Sequence, residues 1–189
     1  MKPFEYLLVL VSIIISLSIA DILTSFHRIL RARQQIRWHW HPLVAALLVL
    51  LAILEFSWKF YRLGRIEVWS YYGTFLLLML HLILMFLLAC AALPDTAQGL
   101  SDLAAYYEQN RKYFWTLFAL FALSAVSVNL VAALPRATLP ALLLSAVPNL
   151  LVAGVMLSLA FVRSNAYHSG CILLLLLVMG LGWWQLGLQ

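Results

Sequence analysis

The chain holds 189 residues, 65% of them hydrophobic and 10% charged, with a net charge of +5. Soluble domains average roughly 45–50% apolar and about 25% charged residues, which excludes a water-soluble enzyme or binding module. The twelve basic residues are scattered along connecting segments, so anionic lipid headgroups rather than nucleic acid are the expected partners.

Long apolar runs divided by short polar segments predict one all-α transmembrane domain over residues 1–189, a bundle of six spans. A helical crossing takes about 20 residues, and the runs place the spans near 4–23, 43–61, 69–92, 113–134, 139–162 and 171–188. Hydrocarbon offers no partner to backbone amides, so spans are helices or closed barrels, and unbroken apolar runs lack a barrel's alternation. Trp38, Trp40, Tyr61, Trp69, Tyr71, Tyr72, Tyr113, Trp115, Trp183 and Trp184 fall at predicted ends, where amphipathic rings suit the interface.

Span one, YLLVLVSIIISLSIA, lies between Lys2 and Asp21, a pattern that also fits a secretory leader cut after Ala20. Glu5 and the downstream Arg28, Arg31, Arg33 and Arg37 favour a retained helix, because clustered positive charge opposes translocation. Those arginines belong to a basic amphipathic continuation, SFHRILRARQQIR, expected to meet anionic headgroups. Asp21 shares a helical face with Ser18, Ser25 and Arg28 and reads either as an ion pair with Arg28 or as an ion-entry carboxylate. Ser12, Ser16, Ala20 and Thr24 recur every fourth position, a small-residue stripe that lets a helix of the bundle or of another subunit approach closely.

WHWH then sets His39 and His41 beside the lipid surface. Two histidines without a third nearby ligand do not make a metal site, so neither metal nor cofactor is predicted. Cys90 and Cys171 lack metal or redox spacing and read as small buried side chains. Glu55 in span two and His81 in span three each lie about 18 Å from the interface where their span begins or ends, near mid-membrane. The one long connection covers 94–112. Its second part, with Ser101 as N-cap and Glu108 four residues before Lys112, predicts a short surface helix leading into span four.

Asn129 lies toward the end of span four, and Ala141, Ser145, Asn149 and Ala153 form a second small stripe along span five. Pro148 removes a helix hydrogen bond beside Asn149. Polar groups in hydrocarbon need a partner or a purpose, and Glu55, His81, Asn149 and Asn129 compose a candidate polar layer. One reading is a proton or cation relay through a carboxylate and an imidazole. The other is structural: Lys59, one turn beyond Glu55, neutralises it, and a neighbouring hydroxyl or carbonyl satisfies His81.

Lys and Arg in the odd-numbered loops are Arg28, Arg31, Arg33, Arg37, Arg111, Lys112 and Arg163, against Lys2, Lys59, Arg62, Arg65 and Arg136 on the other side. That excess points both termini outward. SLSIAD at 16–21 resembles SAVSVN at 124–129, and Pro42 and Pro140 open corresponding spans, which suggests a 3+3 inverted repeat of the kind found in transporters. The segments PFEYLLVLVSIIISLSIADIL, RILRARQQIRW and DLAAYYEQNRKYFW resemble a widespread group of bacterial polytopic membrane proteins of unassigned function. The resemblance implies a multi-pass protein of the bacterial inner membrane and transfers no activity or catalytic position.

GxSxG, HExxH and Walker A motifs are all missing from the sequence, so a catalytic nucleophile or base cannot be named. The leading expectation is a homo-oligomeric channel or ion-coupled transporter for protons or small ions. The alternative is a non-transporting scaffold or sensor that binds a protein partner through the basic helix and the 94–112 loop, and an intramembrane enzyme stands third.

Overall fold

A computed structural model describes residues 3–63, 71–94, 102–134 and 137–187, with backbone alone at 3–4, 62–63, 139 and 183–187. The helices are α1 (Pro3–Arg31), α2 (Trp40–Leu63), α3 (Tyr72–Ala92), α4 (Leu103–Ala133), α5 (Leu139–Phe161) and α6 (Asn165–Gly187). All six are long and apolar enough to cross a membrane. The fold is therefore an all-α, multi-pass membrane architecture. Trp69, Lys2, Arg65 and Arg136 lie outside the described residues, as do the side chains of Arg62, Trp183 and Trp184.

Two helices run well past the hydrocarbon. The basic continuation of span one is helical only to Arg31, where α1 ends, so Arg33 and Arg37 lie beyond the helix; the surface helix expected before span four is the unbroken start of α4 rather than a separate element. At 31 residues α4 is about 46 Å long, against about 30 Å for a bilayer core. Ser101 lies outside the described residues; the N-cap is Asp102, whose carboxylate accepts from the Ala104 amide at 2.7 Å and satisfies one of the unpaired donors there. Residues 32–39 fold against this start: the Leu103 amide donates to the Arg37 carbonyl at 3.2 Å, beside an isolated bridge of Arg37 with Asp102. Buried Ile36 anchors the same segment. Arg28, Arg31, Arg33 and Arg37 are all exposed at this end, open to headgroups.

α3 and α4 form the centre. α5 lies along α4, α1 packs on α3 and α2, and α6 closes lightly against α2 and α5. Leu48, Ile53, Leu82, Met85, Trp115 and Phe118 are fully buried. Leu23, Leu144, Leu151 and Leu173 face outward, as expected where lipid is as apolar as the core and gives no drive to hide them.

The inward face of α1 is Leu7, Val11, Ser18, Ile22, Ser25 and Ile29. Ser12, Ser16, Ala20 and Thr24 are exposed, so this stripe does not pack the helix inside its own chain. The Ser12 and Ser16 hydroxyls donate to the carbonyls one turn back, each at 2.7 Å, and need no other partner. On α5, Ala141 and Ser145 are likewise exposed and Ala153 is buried. Contact between subunits, the second reading of such stripes, stays an expectation.

Candidate functional site

Five helices enclose a cavity of about 480 Å³. It is lined by the later parts of α2, α4 and α6 and by α3 and α5, and it contains Glu55, Lys59, His81, Asn129 and Asn149. The four polar residues picked from different spans thus meet around one space. At 1.5 Å per residue, Glu55 lies about 12 Å of helix from Leu63, and His81 about 14 Å from Tyr72. His81 is thus at the middle of α3, and Glu55 lies about 5 Å beyond the middle of α2 on the Leu63 side.

The helical repeat brings Glu55 and Lys59 onto one face, where they form an ion pair with the side chains 23% and 40% exposed respectively. Asn129 and Asn149 are exposed toward the mouth. Pro148 lacks an amide for the Leu144 carbonyl. Leu142 and Ala146 before it and Ala153, Met156 and Leu159 beyond it are buried, whereas Leu143, Leu144, Val147, Leu151 and Phe161 are exposed, so one face of α5 packs against the bundle on both sides of the proline.

His81 is fully buried. Its Nδ1 lies 2.8 Å from Ser124 Oγ, and the Ser124 hydroxyl donates to the Phe121 carbonyl at 2.7 Å. With that hydroxyl hydrogen committed, Ser124 accepts from His81 Nδ1–H, which leaves Nε2 with a bare lone pair. Nε2 is buried without a hydrogen-bond partner. The imidazole stacks on Phe121 at 4.6 Å and meets Phe56 at 4.6 Å in a tilted contact.

Asp21 does not join this group: it is half-buried on α1 and does not line the cavity. Lys59–Glu55 and Arg111–Glu108 form ion pairs, and among the described residues none joins Asp21 to Arg28.

A second polar cluster closes the opposite end of the bundle. Trp115 Nε1–H donates to the Tyr107 hydroxyl at 2.9 Å, and Tyr107 lies 2.8 Å from His168 Nδ1. His168 Nε2 and Arg111 Nη1 both reach the Val162 carbonyl at 2.8 Å. A carbonyl accepts only, so His168 carries its proton on Nε2, and Tyr107 donates to the bare Nδ1. The buried Arg111 also offsets the negative end of α5, whose C-cap is Val162. His41 Nε2 lies 3.2 Å from Ser169 Oγ, and its Nδ1 lies 3.1 Å from His39 Nδ1, so both of its ring nitrogens are engaged within the protein.

Sequence reasoning missed Ser124, Tyr107 and His168, treated Arg111 only as an orientation charge, and put Trp115 in the interfacial belt, whereas it is fully buried because its indole N–H is held by the Tyr107 hydroxyl inside the bundle. Ser124 carried one weak signal, a hydroxyl inside a long apolar run; its pairing with His81 is set by the α3–α4 contact. No family model, curated protein or solved structure matches this chain.

The exposed part of the cavity, at Asn149, should admit water. In a Cys90→Ala/Cys171→Ala background, Asn149→Cys is expected to react with a charged, membrane-impermeant thiol reagent at least about tenfold faster than Leu173→Cys on the lipid face, because thiols ionise only where water reaches them. Equal rates would mean that the space is dry.

Proposed function

We propose that this protein is a small membrane transporter of the carrier type, whose solute site is the Glu55–His81–Asn149 cavity and whose coupling group is Glu55. The observation that carries the reading is the convergence of the polar side chains of α2, α3, α4 and α5 on one cavity that lies in one half of the bundle. A carrier exposes its site to one side at a time, whereas an open channel needs a hydrated path from face to face. Here Phe118 and Phe121 form the inner wall, and beyond them lies the hydrogen-bonded cluster of Tyr107, Trp115, His168 and Arg111. That arrangement favours a closed far end. Protons or small cations are the proposed coupling ions, and a bacterial cell membrane is the proposed setting.

The Glu55–Lys59 pair favours a second reading. A carboxylate already neutralised one turn away fits a scaffold or sensor that conducts nothing. Proteoliposomes loaded with a pH-sensitive dye separate the two. Under an imposed pH gradient, external addition of cationic, zwitterionic or aromatic solutes is expected to change internal pH faster than in empty liposomes for at least one solute class. A response indistinguishable from empty liposomes across the whole panel would overturn the carrier reading.

A further inference from the structure

His81 lines the cavity with a fully buried side chain, and its Nε2 is an acceptor with no partner among the described residues. Buried polar groups in folded proteins are nearly always hydrogen-bonded, so an acceptor left bare calls for an explanation. Water is a poor candidate. A buried water needs two to four polar contacts, and the imidazole is flanked by Phe56 and Phe121, each with its ring centre 4.6 Å away, with Phe60 and Phe118 next to those rings. Glu55 and Lys59 are paired with each other on α2 and partly exposed, and Asn129 and Asn149 are exposed, so none of these is a buried polar group beside the imidazole. A metal ion is equally unsupported: among the described residues there is no group of three His, Cys, Asp or Glu side chains able to hold one.

What fits is a donor carried on an apolar body. We propose that the cavity binds a small aromatic solute bearing one N–H or O–H group, with His81 Nε2 accepting that hydrogen and the phenylalanine rings packing on the solute's ring. Ser124 is a positioning residue. By taking the Nδ1–H it fixes the tautomer and keeps the Nε2 lone pair available for the incoming donor. Aromatic faces supply offset or edge contacts to a second ring at little entropic cost, and about 480 Å³ accommodates a bicyclic molecule. The inference rests on reading the cavity as a solute site, though not on the coupling of that solute to protons.

Indole and benzofuran form the matched probe pair, since they share shape and aromaticity and differ in the N–H donor. Equilibrium binding of radiolabelled indole to the full-length protein in nanodiscs, displaced by either compound and corrected with empty nanodiscs, is expected to show indole bound about tenfold more tightly, as one hydrogen bond to a buried acceptor predicts. His81→Phe should bring the ratio to about one while retaining benzofuran binding. Ser124→Ala should lower the ratio partway, because the imidazole can then carry its proton on either nitrogen.

Equal affinities in the parent protein overturn the proposal whatever the variants do, and so does an undiminished preference in a folded His81→Phe. An indole preference without any solute-dependent pH change in liposomes would leave the site standing and remove the carrier reading. A solute-dependent pH change without an indole preference would do the reverse.

Discussion

Tyr107→Phe is expected to destabilise the protein by roughly 2–6 kcal/mol, since a single lost oxygen strands two buried groups at about 1–3 kcal/mol each. Trp115 Nε1–H loses its acceptor and His168 Nδ1 loses its donor, and all three residues are buried. The ring itself stays, so packing changes little and the effect belongs to hydrogen bonding. Thermal unfolding in detergent, followed by near-ultraviolet circular dichroism, would report it. The double variant Tyr107→Phe/Trp115→Phe provides the sharper check. Once the indole donor is gone, it can no longer be stranded, so the combined loss should fall short of the sum of the single losses. Strict additivity would mean that Tyr107 and Trp115 do not share the bond. The same network joins α4 to α6 and to the end of α5, so a carrier would have to break it to open that end.

Glu55→Gln should lower solute-coupled proton flux by roughly ten- to hundredfold, the kinetic equivalent of about 1.5–3 kcal/mol for one charge-assisted interaction. The amide keeps the size of the carboxyl and can neither carry a proton nor neutralise Lys59. The carrier and structural readings diverge in Glu55→Gln/Lys59→Met. If Glu55 couples transport, the double variant regains stability while its flux stays low; removing both charges relieves the unpaired ammonium but restores no proton site. If the pair is structural, stability again recovers, and neither the parent nor any variant conducts. Parent-level flux in Glu55→Gln would remove Glu55 from the mechanism. Unfolding curves recorded beside the flux traces keep loss of fold apart from loss of coupling.

Individual polar residues were easier to find than their partners. Glu55, His81, Asn129 and Asn149 stand out in sequence because a hydrophilic side chain in an apolar run is costly wherever it points. Depth along the helix grouped Glu55, His81 and Asn149 within about 12–15 Å of the same end and set Asn129 about 6 Å from it, but which way each side chain faces was left to helix rotation. The Glu55–Lys59 pair was also legible, because both members sit on one helix at a spacing of four. The His81–Ser124 bond was not, because it joins α3 to α4, and no periodicity within either helix fixes how the two are rotated against each other. The small-residue stripe of α1 shows the opposite failure. Its four-residue spacing is equally compatible with an inner or an outer face, and packing turned Leu7, Val11 and Ile22 inward instead.

Composition and hydrophobic run length alone determined that this chain forms six apolar helices with few charges among them, since the absence of water in hydrocarbon forces every backbone amide to pair within its own segment. Only tertiary structure decided that Glu55, His81, Asn129 and Asn149 share one cavity, that Asp21 stands apart, and that Tyr107, Trp115, His168 and Arg111 fasten the other end. The reason is physical. Helix formation in a membrane is a local response to solvent, whereas helix rotation and contact order depend on side-chain packing and hydrogen bonds between segments distant in sequence.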